Sequence, residues 1–187
     1  KDMAQKARDQ PSFMNTFLRL HCNIWTQQAD RWLQMHHWEA CGGREVNEAE
    51  LIGLDCFGGL DLSEKLDMTA LVLAFERDGF WDLLCRFWAP EDTMVIRERR
   101  DRIPYSQWVR EGWVSATPGN VIDYEFILAE ITVLAARHNI VELAYDPWSA
   151  LQMSLKLDEE GMLTTPMRQG FASLSEPSKE FEALVVS

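Results

Sequence analysis

Residues 56–88 read CFGGLDLSEKLDMTALVLAFERDGFWDLLCRFW, and the punctuation of this stretch decides the fold. Residues 56–63, 68–75 and 80–88 are short apolar runs. A polar turn, Glu64-Lys65-Leu66-Asp67, separates the first two, and Arg77-Asp78-Gly79 makes a tight turn before the third. Asp-Gly between apolar runs is a strong hairpin signal, because the favoured two-residue turn needs positive φ at its central positions. Strands joined by connections this short must pair antiparallel, since a parallel return needs a crossover. The stretch therefore predicts a three-strand antiparallel meander.

Downstream the period changes. Residues 89–112 read as a long polar insertion, followed by a turn at Pro118-Gly119-Asn120. Asp123 is placed to cap a helix in which Tyr124, Ile127, Leu128, Ile131, Leu134 and Ala135 share one face, with Arg137 in the last turn. Residues 140–145 form a fourth strand that ends at Asp146. Pro147 starts the next helix, with Trp148, Leu151 and Leu155 on a common face and Gly161 closing it. Residues 162–167 give a fifth strand and residues 178–186 a last helix. The order β-β-β-α-β-α-β-α implies a mixed α/β sheet, an antiparallel meander followed by α-linked parallel strands with flanking helices. This is the element order of the ribonuclease H-like fold. Upstream, Pro11-Ser12-Phe13, Phe17, Leu18, Leu20, Ile24-Trp25, Trp32, Leu33 and His36-His37-Trp38 form an apolar patch without a clean period, and Gly42-Gly43 makes a hinge. The expected division is a junction over residues 1–43 and a domain over residues 44–187.

Composition narrows the function. With 187 residues and 47% of them apolar, the chain can bury one sizeable core. No apolar run approaches the roughly 20 residues a membrane helix needs. The four cysteines, Cys22, Cys41, Cys56 and Cys85, form no CxxC pair and suit reduced thiols. The net charge is −12, and residues 1–50 contribute six basic against seven acidic residues, so −11 falls on residues 51–187. Such a chain repels phosphate and membrane surfaces, and it should bind duplex DNA weakly unless metal ions or a basic partner offset the repulsion.

The acids at strand ends carry the chemistry. Asp61 lies near the C-terminal end of the first strand and Asp146 at the C-terminal end of the fourth. If those strands are parallel neighbours, about 4.8 Å apart, both carboxylates emerge at one sheet end and could share a divalent ion. Ligand sites at the carboxyl ends of strands are the expected location in open α/β sheets. Pro147 holds Asp146 toward an extended backbone. An Asp at a strand end also serves as a turn former or helix cap, and Asp123 is explained by capping alone. Arg97, Arg99, Arg100 and Arg102 could track a phosphate backbone, but Glu98 and Asp101 interleave with them as on a solvated helical face. His36, His37 and Cys41, with His21 or Cys22 nearby, lack any standard zinc spacing, so no zinc is expected.

Four ordered motifs carry a resemblance. Gly59-Leu60-Asp61-Leu62-Ser63 with Asp67-Met68-Thr69-Ala70-Leu71, then Thr117-Pro118-Gly119-Asn120-Val121-Ile122-Asp123-Tyr124, Ala144-Tyr145-Asp146-Pro147-Trp148 and Arg168-Gln169-Gly170-Phe171, are together similar to the C-terminal nuclease domain of the phage terminase large-subunit family. Residues 11–38 resemble the junction after that family's ATPase domain, and no GxxxxGK[ST] loop is present, so the ATP motor is expected upstream. The resemblance implies a two-metal endodeoxyribonuclease that uses Mg²⁺ or Mn²⁺ to cut concatemeric double-stranded viral DNA during packaging, in the cytoplasm of a bacterial host. It implies the portal protein and the small terminase subunit as partners. Asp61 and Asp146 match the first two metal-binding acids, with Asp67 as an outer ligand or simply a turn former. The third acid of the family belongs to a later helix, expected beyond Ser187. Two rivals stand beside this reading: another ribonuclease H-like metal nuclease such as a resolvase, and a non-catalytic module that docks on portal or DNA.

Overall fold

Asp78 and Gly79, with φ of 55° and 80°, turn the chain between its two longest strands. A computed structural model describes residues 2–9, 11–22, 32–63 and 67–187. The strands on either side of the turn are β2 (Thr69–Arg77) and β3 (Phe80–Pro90), preceded by β1 (Asp55–Asp61). All three pair antiparallel, β1 with β2 and β2 with β3, as the short connections require. Residues 64–66 of the polar turn, like Ile24 and Trp25 upstream, lie outside the described residues.

The polar insertion is not unstructured. It folds into α4 (Glu91–Asp101) and α5 (Tyr105–Arg110), then β4 (Ser115–Thr117), which adds parallel to β3 at the sheet edge. Ala89, Met94, Tyr105 and Val114 form a small apolar core of their own there. Next come α6 (Tyr124–Arg137), β5 (Asn139–Tyr145), α7 (Pro147–Glu159), β6 (Thr164–Pro166) and α8 (Phe171–Val186). The sheet order is β4-β3-β2-β1-β5-β6, with β5 parallel to both β1 and β6. A meander whose first strand is flanked by a parallel, helix-linked strand is the ribonuclease H-like arrangement.

Alternation along the strands divides the sheet into two faces. On one, Leu71, Leu73, Phe75 and Leu143 are fully buried beneath Ile127 and Ile131 of α6 and Ala150 and Leu157 of α7. Gly58 is the point of closest approach, since a Cβ there would stand 2.4 Å from Leu143 Cδ1. On the other face, Phe57 and Leu83 remain 50% and 38% exposed. The helical face expected for α6 is buried as read. For α7 the expectation fails: Trp148, Leu151 and Leu155 share a face, but it is the exposed one. Ala150, Met153, Ser154 and Leu157 are buried instead, because small residues let the helix axis approach the sheet.

The chain separates into two compact units, residues 46–175 and residues 1–45 with 176–187. The second contains α1 (Asp2–Asp9), α2 (Pro11–His21) and α3 (Met35–Cys41). The patch without a clean period is thus largely helical. Phe13, Phe17 and Leu20 fall at helical spacing within α2, and Pro11 occupies its first turn, where a missing N–H costs nothing. Within this unit Trp32 Nε1 donates to Glu182 at 3.3 Å, and the Trp32 ring lies 5.9 Å from that of Phe181.

Candidate metal centre

Leu60 of β1 is the register partner of Tyr145 of β5. Both side chains are buried on the covered face. Asp61 is the last residue of β1, exposed on the opposite face, and Asp146 follows the last residue of β5 as the N-cap of α7. The parallel pairing of β1 and β5 therefore brings Asp61 and Asp146 to the same end of the sheet. The burial of Leu62 and Ser63 holds the chain just after Asp61. Ser63 N–H donates to Thr69 Oγ1 at 3.1 Å, and the Tyr124 hydroxyl donates to the Ser63 carbonyl at 2.7 Å.

Asp146 has a second role. Its Oδ1 accepts the Trp148 N–H at 3.0 Å and caps α7, with Pro147 in the first turn. A carboxylate offers about four lone-pair sites, so one capping bond leaves room for a cation. Asp123 does what capping predicts: its Oδ1 accepts Glu125 N–H at 3.0 Å and Phe126 N–H at 3.1 Å.

Asp67 stands across the β1–β2 connection with a carboxylate 83% exposed. Its Oδ1 accepts both the Met68 N–H at 2.9 Å and Arg97 Nη2 at 3.1 Å. Arg97 is the surprise of the basic cluster. Arg99, Arg100 and Arg102 are exposed, as a solvated face requires, whereas the Arg97 side chain is only 7% exposed. The sequence held a signal for this: Met94 and Arg97 are three residues apart on α4 and face the same small core. Tyr124 gave no such signal, because its position on the α6 face explained it fully as packing.

The donors present are hard oxygens, which suit Mg²⁺ or Mn²⁺. Among the described residues, no group of three or more His, Cys, Asp or Glu side chains is placed to hold a metal ion. Mg²⁺ commonly takes one or two protein carboxylates and fills its shell with water and substrate phosphate, and Asp61 and Asp146 are the residues that would hold such an ion. The His36 and His37 rings lie 4.1 Å apart, tilted by 38°, and Cys41 Sγ lies 3.3 Å from the His37 carbonyl. All four cysteines are free. No helix among the described residues is long and apolar enough to cross a membrane.

The family described as the terminase large subunit, endonuclease domain, matches residues 1–187. The chain belongs to that family. It is 36% identical over 194 residues to the "Terminase, large subunit" of Enterobacteria phage HK97, a match covering 100% of this chain and 38% of that protein. It is 29% identical over 192 residues to "Protein YmfN" of Escherichia coli strain K12, covering 98% of this chain and 42% of the relative. The crystal structure of the HK97 bacteriophage large terminase superposes with a TM-score of 0.74 at 34% identity, over 99% of this chain and 38% of that one. The chain thus spans about two-fifths of the length of the relatives it matches.

Proposed function

We propose that this domain is a metal-dependent endonuclease that cuts concatemeric double-stranded viral DNA during genome packaging. The observation that supports the reading is the parallel β1–β5 pairing, which brings the C-terminal ends of the two strands, where Asp61 and Asp146 stand, to the same end of the sheet. Asp61 and Asp146 would hold Mg²⁺ or Mn²⁺, with Asp67 reaching it through water. Bound there, such ions activate a water for in-line attack and stabilise the departing oxygen. The chain's own contribution is position: β1 and β5 fix the two carboxylates, and the α7 cap fixes the rotation of Asp146. The net charge of −12 repels the phosphate backbone, a repulsion that metal ions or a basic partner would offset. Family membership supports duplex DNA as substrate, an ATPase domain upstream in the same polypeptide, residues 1–43 as the junction to it, and portal and small-subunit partners in a bacterial cytoplasm.

One observation favours a second reading, a non-catalytic docking module: the described residues bring no third metal-binding acid to the pair. Nicking of supercoiled plasmid by the full-length protein in Mn²⁺ separates the two. Asp61→Asn and Asp146→Asn should each reduce Mn²⁺-dependent nicking to background while leaving the protein folded. Undiminished nicking in both variants would remove the assignment, and absence of nicking by the wild type in either metal would favour docking.

A further inference from the structure

β6 lies parallel to β5 with Tyr145 opposite Pro166, and the Met167 N–H extends the ladder by donating to the Tyr145 carbonyl at 2.7 Å. The next residue is Arg168, so its backbone leaves the sheet at the end where β5 gives way to Asp146. The turn that carries it is held on both sides. Gly170 N–H donates to the Arg168 carbonyl at 3.0 Å, and the Gly170 carbonyl accepts Ser173 N–H and Leu174 N–H at the start of α8. β6 itself is pinned by Thr164 Oγ1, which donates to Asp158 at 2.7 Å, and by Thr165 Oγ1, which donates to Glu142. Arg168 is exposed, and no carboxylate among the described residues pairs with it. By contrast, Arg77, Arg86, Arg97, Arg100, Arg137 and Lys156 each hold an acid. Arg99, Arg102 and Arg110 also lack such a partner among the described residues, but they stand on the α4–α5 insertion.

We propose that Arg168 is a substrate-binding residue that takes a phosphate of the DNA backbone at the sheet end where Asp61 and Asp146 stand. The inference rests on the nuclease reading above and adds to it a group that receives the substrate's charge. A chain at −12 repels a polyanion, and a cation without an acid partner at that end gives a phosphate a local attraction. A guanidinium suits the task. Its planar fork can give two parallel N–H bonds to phosphate oxygens, and it stays charged at every working pH. A residue set between a ladder bond and a turn bond is also placed more precisely than one on a free loop, as substrate positioning requires. The contact is to the backbone and not to a base, so it adds affinity without sequence preference.

The test is Mn²⁺-dependent nicking of supercoiled plasmid by the full-length protein, with DNA concentration and salt both varied. Arg168→Gln should raise the half-saturating DNA concentration about tenfold and leave kcat within about twofold, as expected for a contact made equally before and during the reaction. The fall of log kcat/KM with log salt should become shallower by about one in slope, the contribution of one phosphate contact. Arg168→Lys keeps the charge but loses the fork, and should fall between wild type and Arg168→Gln. It also keeps the test open if the Gln variant folds poorly. Arg137→Gln removes the same charge at the opposite end of the sheet, where α6 hands over to β5, and should leave half-saturation unchanged. Equal shifts in the Arg137 and Arg168 variants would reduce the effect to net charge and overturn the proposal. A lowered kcat at unchanged half-saturation in Arg168→Gln would overturn it too. Asp61→Asn is the reference: if it abolishes nicking while Arg168→Gln behaves as wild type, the nuclease reading stands and the phosphate contact falls. If the wild type nicks in neither metal, the nuclease reading has failed and the contact falls with it.

Discussion

The two faces of the sheet obey different rules. On the covered face, Leu71, Leu73, Phe75 and Leu143 are sealed from water, and packing is close enough that a Cβ at Gly58 would clash with Leu143. On the other face, Phe57, Leu83 and Cys85 are exposed, and β1 ends there in the exposed Asp61. The same backbone ladder serves both faces. A strand therefore anchors itself with one set of alternate side chains and presents chemistry with the other, and the rigidity of the first set makes the second set precise. Stability and function should separate by face.

The largest effect expected is on the covered side. Leu143→Ala should cost about 2–5 kcal/mol, from lost transfer energy plus the cavity left between β5 and the helices. Leu83→Ala on the open face should cost less than about 1 kcal/mol, since much of that side chain is already hydrated. Urea denaturation of the two variants gives the difference directly. Equal costs would mean that the faces are not distinct in solution.

A smaller effect separates the cysteines. Cys56, on the covered face, is 1% exposed, and burial, with the charge of Asp55 adding to it, pushes its thiol from an ordinary 9.0 up to about 11. The folded chain thus keeps a proton that the unfolded chain has lost. This contribution to stability is complete below pH 9 and disappears as the pH rises toward 11. At pH 10 the loss should be on the order of 1 kcal/mol. Cys56→Ala should flatten the decline in urea midpoint across that window, and an unchanged slope would show that other groups cause it.

How much of this was legible depended on whether a local rule decided it. The Asp78-Gly79 turn, the Asp123 cap and the Ile127–Ile131–Leu134 stripe follow from turn chemistry and period, and all three are present. The parallel pairing of β1 and β5 was readable from chain order. The buried face of α7 was not, because bulk suggested Trp148, Leu151 and Leu155 while close approach to the sheet selected Ala150 and Ser154. Helices α4 and α5 were hidden by the polar composition of the insertion, whose core is small. Arg97 was missed although its spacing from Met94 pointed to that small core, because a charge is read as solvated until the tertiary fold supplies Tyr105 and Asp67. Near the proposed site, the strand-end positions of Asp61 and Asp146 were legible, and so was the capping role open to an Asp before Pro147, which Asp146 fills at Trp148.

That shared duty gives the smallest and most discriminating comparison. Asp146 caps α7 and, on the proposed reading, also holds a metal ion beside Asp61. Asn caps about as well as Asp, while Ala leaves the Trp148 N–H without its partner. Asp146→Ala should therefore cost about 1 kcal/mol in urea denaturation. Asp146→Asn should cost a few tenths at most, about the spread seen at neutral surface positions. Asp61→Ala, which breaks no cap, should be similarly silent. In Mn²⁺-dependent nicking by the full-length protein the pattern changes: all three variants should be equally inactive, because each removes a carboxylate charge that an amide or methyl cannot replace at a hard cation. Activity retained in Asp146→Asn but lost in Asp146→Ala would reduce Asp146 to a helix cap and leave Asp61 alone at the edge.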